Sequence, residues 1–313
     1  MAKRFLPFFL LFTLAPASAA EIAPALTSEK TEEGIVIREG EDPVLHYQAR
    51  PKSVEGKFER SNYVHPLYDL DGSVITEDFP EDHLHQRGIF WTWHQILEGE
   101  TRLGDGWECR DIIWDVASAE TEPAPRGGIA LLTRVFWKSP HKTNATGEMQ
   151  PFVEEHARIT VYPRENDQRI IDFTIHLKAL SDDIRIGGSE DEKGYGGFSP
   201  RIYLPEDVSF RGMDGRIIPR VTAVAAGPAV DITGSYGDKD NSGITIIQHP
   251  SNPGFPQEWI LRASRSMQNP VFPGRNAVPI PQKEPLRLRY RIILHGPDTL
   301  DLEQEFREYS STH

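Results

Sequence analysis

The chain has 313 residues, 34 Lys and Arg against 47 Asp and Glu, a formal net charge of −13 and a single cysteine, Cys109. Nucleic-acid phosphates and anionic membranes call for clustered basic residues, so neither is an expected partner. One cysteine excludes an internal disulfide, and the fold must rest on packing.

The first twenty residues read as a secretory signal. Lys3 and Arg4 open it, Phe5 to Leu14 form a short apolar run, and Ala17-Ser18-Ala19 fits a small-x-small cleavage site. The run is shorter than the roughly 20 residues that a membrane span needs. Losing Lys3 and Arg4 removes two positive charges and leaves about −15. The expectation is an exported protein, periplasmic or secreted, with residues 21–313 forming one β-sandwich domain.

The rest of the chain reads as β throughout. Candidate strands run over 34–38, 44–48, 88–94, 129–137, 154–162, 169–177, 243–248, 258–263 and 286–294. They are short, rich in Val, Ile, Phe and Tyr, and bounded by Gly, Pro, Asn and Asp. From Leu286 to Ile292, Leu, Tyr and Ile share one face while Arg287, Arg289 and Arg291 share the other. Residues 298–309 are the one helix candidate, and 121–128 and 270–285 are the expected loops. Some 14 to 18 strands at this spacing predict an all-β, antiparallel sandwich or supersandwich with few short helices.

Chemistry-bearing residues concentrate first between His65 and His94. Extended, His83-Leu84-His85 would point both imidazoles to one face. Such histidines bind sugar hydroxyls and move protons. Alternatively His65, His83 and His85 hold a divalent metal; otherwise no cofactor is required. Arg87 offers a planar fork for a carboxylate or hydroxyls, or pairs with Glu81 or Asp82. Trp91 and Trp93 share one strand face and Thr92 and His94 the other. Trp91 would stack on a sugar ring or fill the core, and His94 would line the same site.

A second cluster runs from Gly187 through Glu190, Glu192, Lys193 and Tyr195 to Arg201. Its glycines let backbone approach a ligand closely, but it lacks the Gly-Lys-Ser/Thr of a phosphate loop. The third cluster is Gln248-His249-Pro-Ser-Asn252 at a strand end. No Gly-x-Ser-x-Gly or His-Glu-x-x-His motif occurs. The expected catalytic set is His83, His85 or His249 as acid/base, Glu190 or Glu192 as partner carboxylate, and Tyr195 assisting proton transfer. His65, Arg87, Trp91, His94, Arg201 and Asn252 would bind substrate. All of this requires the imidazole-bearing loops to meet around one sugar-sized hollow.

Together the motifs His65-Pro-Leu to His85-Gln-Arg-Gly, Glu192-Lys-Gly-Tyr-Gly-Gly-Phe and Gln-His249-Pro-Ser-Asn-Pro resemble the PmoA-like family of exported bacterial proteins of unknown function. The resemblance runs from about residue 35 to 297. That family is often labelled "methane oxygenase PmoA", yet a membrane monooxygenase would need several apolar spans, which this chain lacks. The resemblance implies a sugar-related setting. The His and Arg pattern is more loosely similar to galactose-mutarotase-like supersandwich proteins. The expected activity is a glycoside hydrolase or lyase acting on a small-molecule or oligosaccharide substrate. The alternatives are a mutarotase or epimerase, and a non-catalytic sugar binder.

Overall fold

The computed structural model describes residues 25–236 and 239–312, so the expected signal segment lies outside the described residues. Among those residues the chain forms 23 strands and a single α-helix. The excess over 14 to 18 comes from strands of two to four residues, such as Trp259–Ile260. That two-residue strand is all that forms of the expected 258–263 strand. None of the described helices is long and apolar enough to cross a membrane.

Two antiparallel sheets carry the fold. The larger has nine strands, running from Ile113–Pro123 at one edge to Gly215–Ile217 at the other, with Gln168–Ala179, Leu286–His295 and Lys239–Gln248 in its centre. The smaller has six, from Leu26–Lys30 to Gly197–Pro200, with Ile89–Thr92 beside the last. Alternation explains why the sheets stack. Gln168–Ala179 buries every second residue, placing Ile171, Phe173, Ile175 and Leu177 against the facing sheet. Phe173 and Phe198 meet edge to face at 5.1 Å, and Phe198 stacks on Tyr290 at 4.5 Å. Burying each such side chain contributes about 1.5–3 kcal/mol.

One polar pin crosses this core. Glu155 of Val153–Val161 is fully buried and accepts hydrogen bonds from Asn62 Nδ2, Trp91 Nε1 and Trp137 Nε1, each at 2.8 Å. Trp91 lies on the six-stranded sheet and Trp137 on the nine-stranded one. Trp91 is therefore core, and the expectation that it stacks on a sugar is corrected.

The helix Leu302–Ser310 begins where Asp301 caps Gln304 N. It covers the outer face of the large sheet, with Leu302 and Tyr309 packed on Ile247 and Ile293. The arginine face read in the sequence lies beneath it: Arg291 sits 4.5 Å from the Tyr309 ring and pairs with Asp172.

A third sheet, in the order Val278–Pro279, Ile184–Gly187, Gln95–Glu98 and Thr101–Gly104, lies alongside and shapes the candidate site.

Candidate active site

Three segments build the site: the end of the strand Ile89–Thr92, the turn after the hairpin 95–104, and the glycine-rich segment 187–197. The hairpin sets the geometry. Glu98 pairs with Thr101, so only Gly99 and Glu100 form the loop, and Gly99 takes the required positive φ of 56°. Ile96 pairs with Gly104, which returns Asp105 to the side of His94. His94 Nδ1 and Asp105 Oδ2 are 3.0 Å apart. The second Asp105 oxygen accepts the backbone N–H of Glu108 at 3.0 Å.

Trp107, buried in the same turn, forms the floor. His94 stacks on it at 5.4 Å, and Tyr195 packs on Trp107 at 4.8 Å and on His94 at 5.1 Å. Arg60 pins the turn from below: its Nη2 donates to Gly106 O at 2.7 Å and to Cys109 Sγ at 3.3 Å. Its guanidinium lies between the rings of Phe90 and Trp114. Cys109 thus belongs to the turn that Arg60 holds.

His83 and His85 enter from the turn after Pro80. That segment is not extended: His83 N bonds Pro80 O at 3.0 Å and Gln86 N bonds His83 O at 2.9 Å. The two imidazoles still meet, edge to face at 5.6 Å, because the turn rather than strand alternation brings them together. His83 Nδ1 pairs with Asp82 at 2.8 Å near the surface, and His85 Nδ1 lies 3.6 Å from Glu108.

The environment sorts these groups chemically. Burial pushes the His85 imidazole down to about 4, with His83, Arg60 and His94 adding to the effect, so it is neutral at pH 7. Burial pushes the Tyr195 phenol up, and Asp191, Glu108 and Asp105 push it further, so it keeps its proton. Burial works to raise Asp105, yet the His94 hydrogen bond and charge bring it below the usual carboxylate value. In the neutral imidazole, an Nδ1–H donated to Asp105 makes Nε2 the acceptor. That Nε2 is buried and has no hydrogen-bond partner among the described residues, and the same holds for the hydroxyl of Thr92.

Tyr195, His83, His85 and His94 of the expected set therefore converge. The other expected residues do not join them. His65 bonds Thr76 at 2.9 Å, and its electrostatic neighbours are Asp78, Lys52, Arg87 and His46. The metal set of His65, His83 and His85 is thus not assembled. Among the described residues no three His, Cys, Asp or Glu groups gather closely enough to hold an ion.

Arg87 is fully buried. It pairs with Asp78, donates to the Tyr63 hydroxyl and to the carbonyls of Lys52 and Phe58, and lies on the Phe79 ring. It has no donor left for a sugar. Arg201 is also buried, and bonds Glu77 at 2.7 Å, Gln86 at 2.8 Å and Asp82 at 2.9 Å. It fastens the His83–His85 turn rather than a substrate.

His249 lies elsewhere on the nine-stranded sheet, 2.7 Å from Arg289 Nη1 and edge-on to Tyr309 of the helix. Asn252 exchanges two bonds with the backbone of Arg289. Both fasten the C-terminal helix region and are corrected from catalytic and binding roles. Glu190 is exposed and tied to Arg102 at 2.7 Å, and Glu192 is exposed and has no ion-pair partner among the described residues. Neither faces His94, so Asp105 replaces them as the partner carboxylate.

Sequence reasoning missed Asp105, Trp107 and Arg60. The usable signal was Glu98-Gly-Glu-Thr101, a two-residue hairpin loop whose register predicts where the residues after Gly104 return. Two distinct hollows lie on the surface. One of about 530 Å³ separates residues 30–35 and 49–51 from 113–119, and one of about 450 Å³ lies under the loop 212–226.

The model of a family described as a family of unknown function, DUF6807, matches residues 34–306. No curated protein matches the chain.

Proposed function

The chain belongs to this DUF6807 family of unknown function, and from its site we propose an exported carbohydrate-active enzyme whose His94–Asp105 pair removes a proton from a sugar carbon. The observation that carries this reading is the pairing of His94 Nδ1 with Asp105 Oδ2 at 3.0 Å, with Nε2 buried beside Tyr195 and unpartnered among the described residues. An oriented imidazole next to a phenol that keeps its proton is a base–acid couple.

The step is a β-elimination. His94 Nε2 takes the proton from the carbon next to a carboxylate or carbonyl, which holds the developing negative charge. The carbon–oxygen bond one carbon further on breaks as a carbon–carbon double bond forms, and the Tyr195 hydroxyl protonates the leaving oxygen. No water is consumed. Neutral His85 accepts a hydrogen bond from a sugar hydroxyl at the rim. Lyase chemistry is favoured over hydrolysis because two-carboxylate hydrolysis requires two free facing carboxyls, roughly 5 Å or 6.5–9.5 Å apart. Asp105 already has one oxygen on His94 and the other on Glu108 N, the Glu108 carboxylate lies against His85, and Glu190 is held by Arg102. Substrate reaches Nε2 when Tyr195 swings aside.

The exported setting and the likeness to PmoA-like and mutarotase-like proteins are part of the same reading. The test is to incubate the protein with a panel of acidic and neutral polysaccharides, following ultraviolet absorbance from a new double bond and reducing ends separately. Lyase action gives both signals, and His94→Gln gives neither. Reducing ends without absorbance indicate hydrolysis, and anomeric exchange alone indicates a mutarotase; either replaces the elimination step. A panel left wholly unchanged removes the enzymatic reading.

A further inference from the structure

The 450 Å³ hollow under the segment 212–226 is linked to the candidate site through one apolar cluster. Ala223, which lines it, belongs to the same apolar cluster as Trp107 and Tyr195. Arg262 braces the loop, donating Nη1 to Arg220 O at 2.6 Å and Nη2 to Val221 O at 2.8 Å. The same guanidinium is an electrostatic neighbour of Tyr195.

The lining carries two guanidiniums, Arg216 and Arg220, and one carboxylate, Asp214 at the turn tip. Both arginines are exposed, and neither side chain has an ion-pair or hydrogen-bond partner among the described residues. In a chain of net charge −13 with most of its arginines paired, two unpaired ones on a single hollow stand apart. Beside them Ile218 and Val221 are 73% and 69% exposed, apolar surface of the kind that packs on a pyranose face. At physiological salt, charges beyond about 8 Å are screened, so these local guanidiniums outweigh the acidic remainder of the molecule.

We propose that this hollow is a subsite for an acidic sugar unit, a pyranose whose carboxylate is held by Arg216 and Arg220. The inference rests on the sugar-site reading of His94 and deepens it, naming a uronate-containing chain as the substrate class. A guanidinium suits a planar carboxylate through its fork of N–H donors.

Calorimetry on the full chain tests it, with tetramers of galacturonate, of galactose and of sulfated galactose as probes. The galacturonate tetramer should bind best, and the double variant Arg216→Gln/Arg220→Gln should weaken it about tenfold to a hundredfold. The galactose tetramer should be indifferent to the change. Equal binding of acidic and neutral tetramers, unchanged galacturonate affinity in the double variant, or preference for the sulfated tetramer overturns the uronate subsite. The two readings fail separately. His94-dependent absorbance from galacturonate chains that is unchanged in the arginine double variant removes the subsite alone. Arginine-dependent galacturonate binding with no bond broken in any sugar removes only the lyase reading.

Discussion

His94 has one ring nitrogen held by Asp105 and the other buried beside the Tyr195 ring, without a partner among the described residues. Replacing it by Gln retains approximate shape and removes the base. On a sugar that the protein turns over, His94→Gln should lower kcat by about 10²–10⁴-fold, the usual worth of a positioned acid/base. Tyr195→Phe should lower kcat in the same range while leaving KM nearly unchanged, because only the transferable proton is lost. Full kcat in the Tyr195→Phe variant would remove Tyr195 from the acid role. His85 supplies a pH dependence of its own. Its folded value of about 4 lies below the ordinary 6.5, so it is neutral over most of the working range and charges only as pH falls through about 4. Binding through neutral His85 should therefore fail only near that pH. A KM that rises already near pH 6.5 and does so only when His85 is present would contradict this placement.

Elements hold these groups through arginines whose place in the fold was not legible in the sequence. An arginine directly after His-x-His-Gln reads as a ligand fork, yet Arg87 and Arg201 are both buried and saturated with protein acceptors. The reason is topological. Arg201 comes directly after Gly197–Pro200, which pairs with Ile89–Thr92, and that pairing carries it beneath the turn bearing His83. Arg201→Ala would leave Glu77 and Asp82 without their cation. It should destabilise the chain by about 3 kcal/mol in denaturant unfolding and loosen the imidazole turn. Retained stability together with lost His83–His85 contact would show that Arg201 only orients the turn. The glycine-rich element is tight. A Cβ at Gly188 would lie 2.0 Å from the carbonyl of Gly194, a backbone atom that cannot yield easily. Gly188→Ala should cost about 1–3 kcal/mol and displace Tyr195, measurable as a lower Tm and a changed tyrosine environment. By contrast the strands themselves were legible, since Gln168–Ala179 and Ile129–Lys138 announce their buried faces by alternation. Asp105 and His249 were opaque for one shared reason. A hairpin register brings the first to His94, and a central strand pairing carries the second away to Arg289.

At the scale of the whole molecule, two sheets share a core through one buried carboxylate. Glu155 has no solvent, and burial raises it to about 7 despite the three N–H donors from Asn62, Trp137 and Trp91 that pull the other way. A carboxyl raised on folding binds its proton more tightly in the folded state than in the unfolded one. Its contribution to stability is therefore complete below the ordinary value of 4.5 and fades as pH climbs through about 7. The difference amounts to about 3 kcal/mol across that window. Glu155→Gln removes the titration but keeps the volume. It also sets an amide N–H against one of the three donors, which should cost about 1–3 kcal/mol at low pH. The expected outcome in denaturant unfolding is a variant weaker than the parent near pH 5 and closer to it near pH 8, with the decline between those values largely gone. A variant that declines as steeply as the parent would place the titrating group elsewhere and leave Glu155 ionised by its donors throughout. In that case the pin between the sheets would be a buried anion held by two tryptophans and an asparagine, and truncating any one of those donors should then destabilise the chain most at high pH.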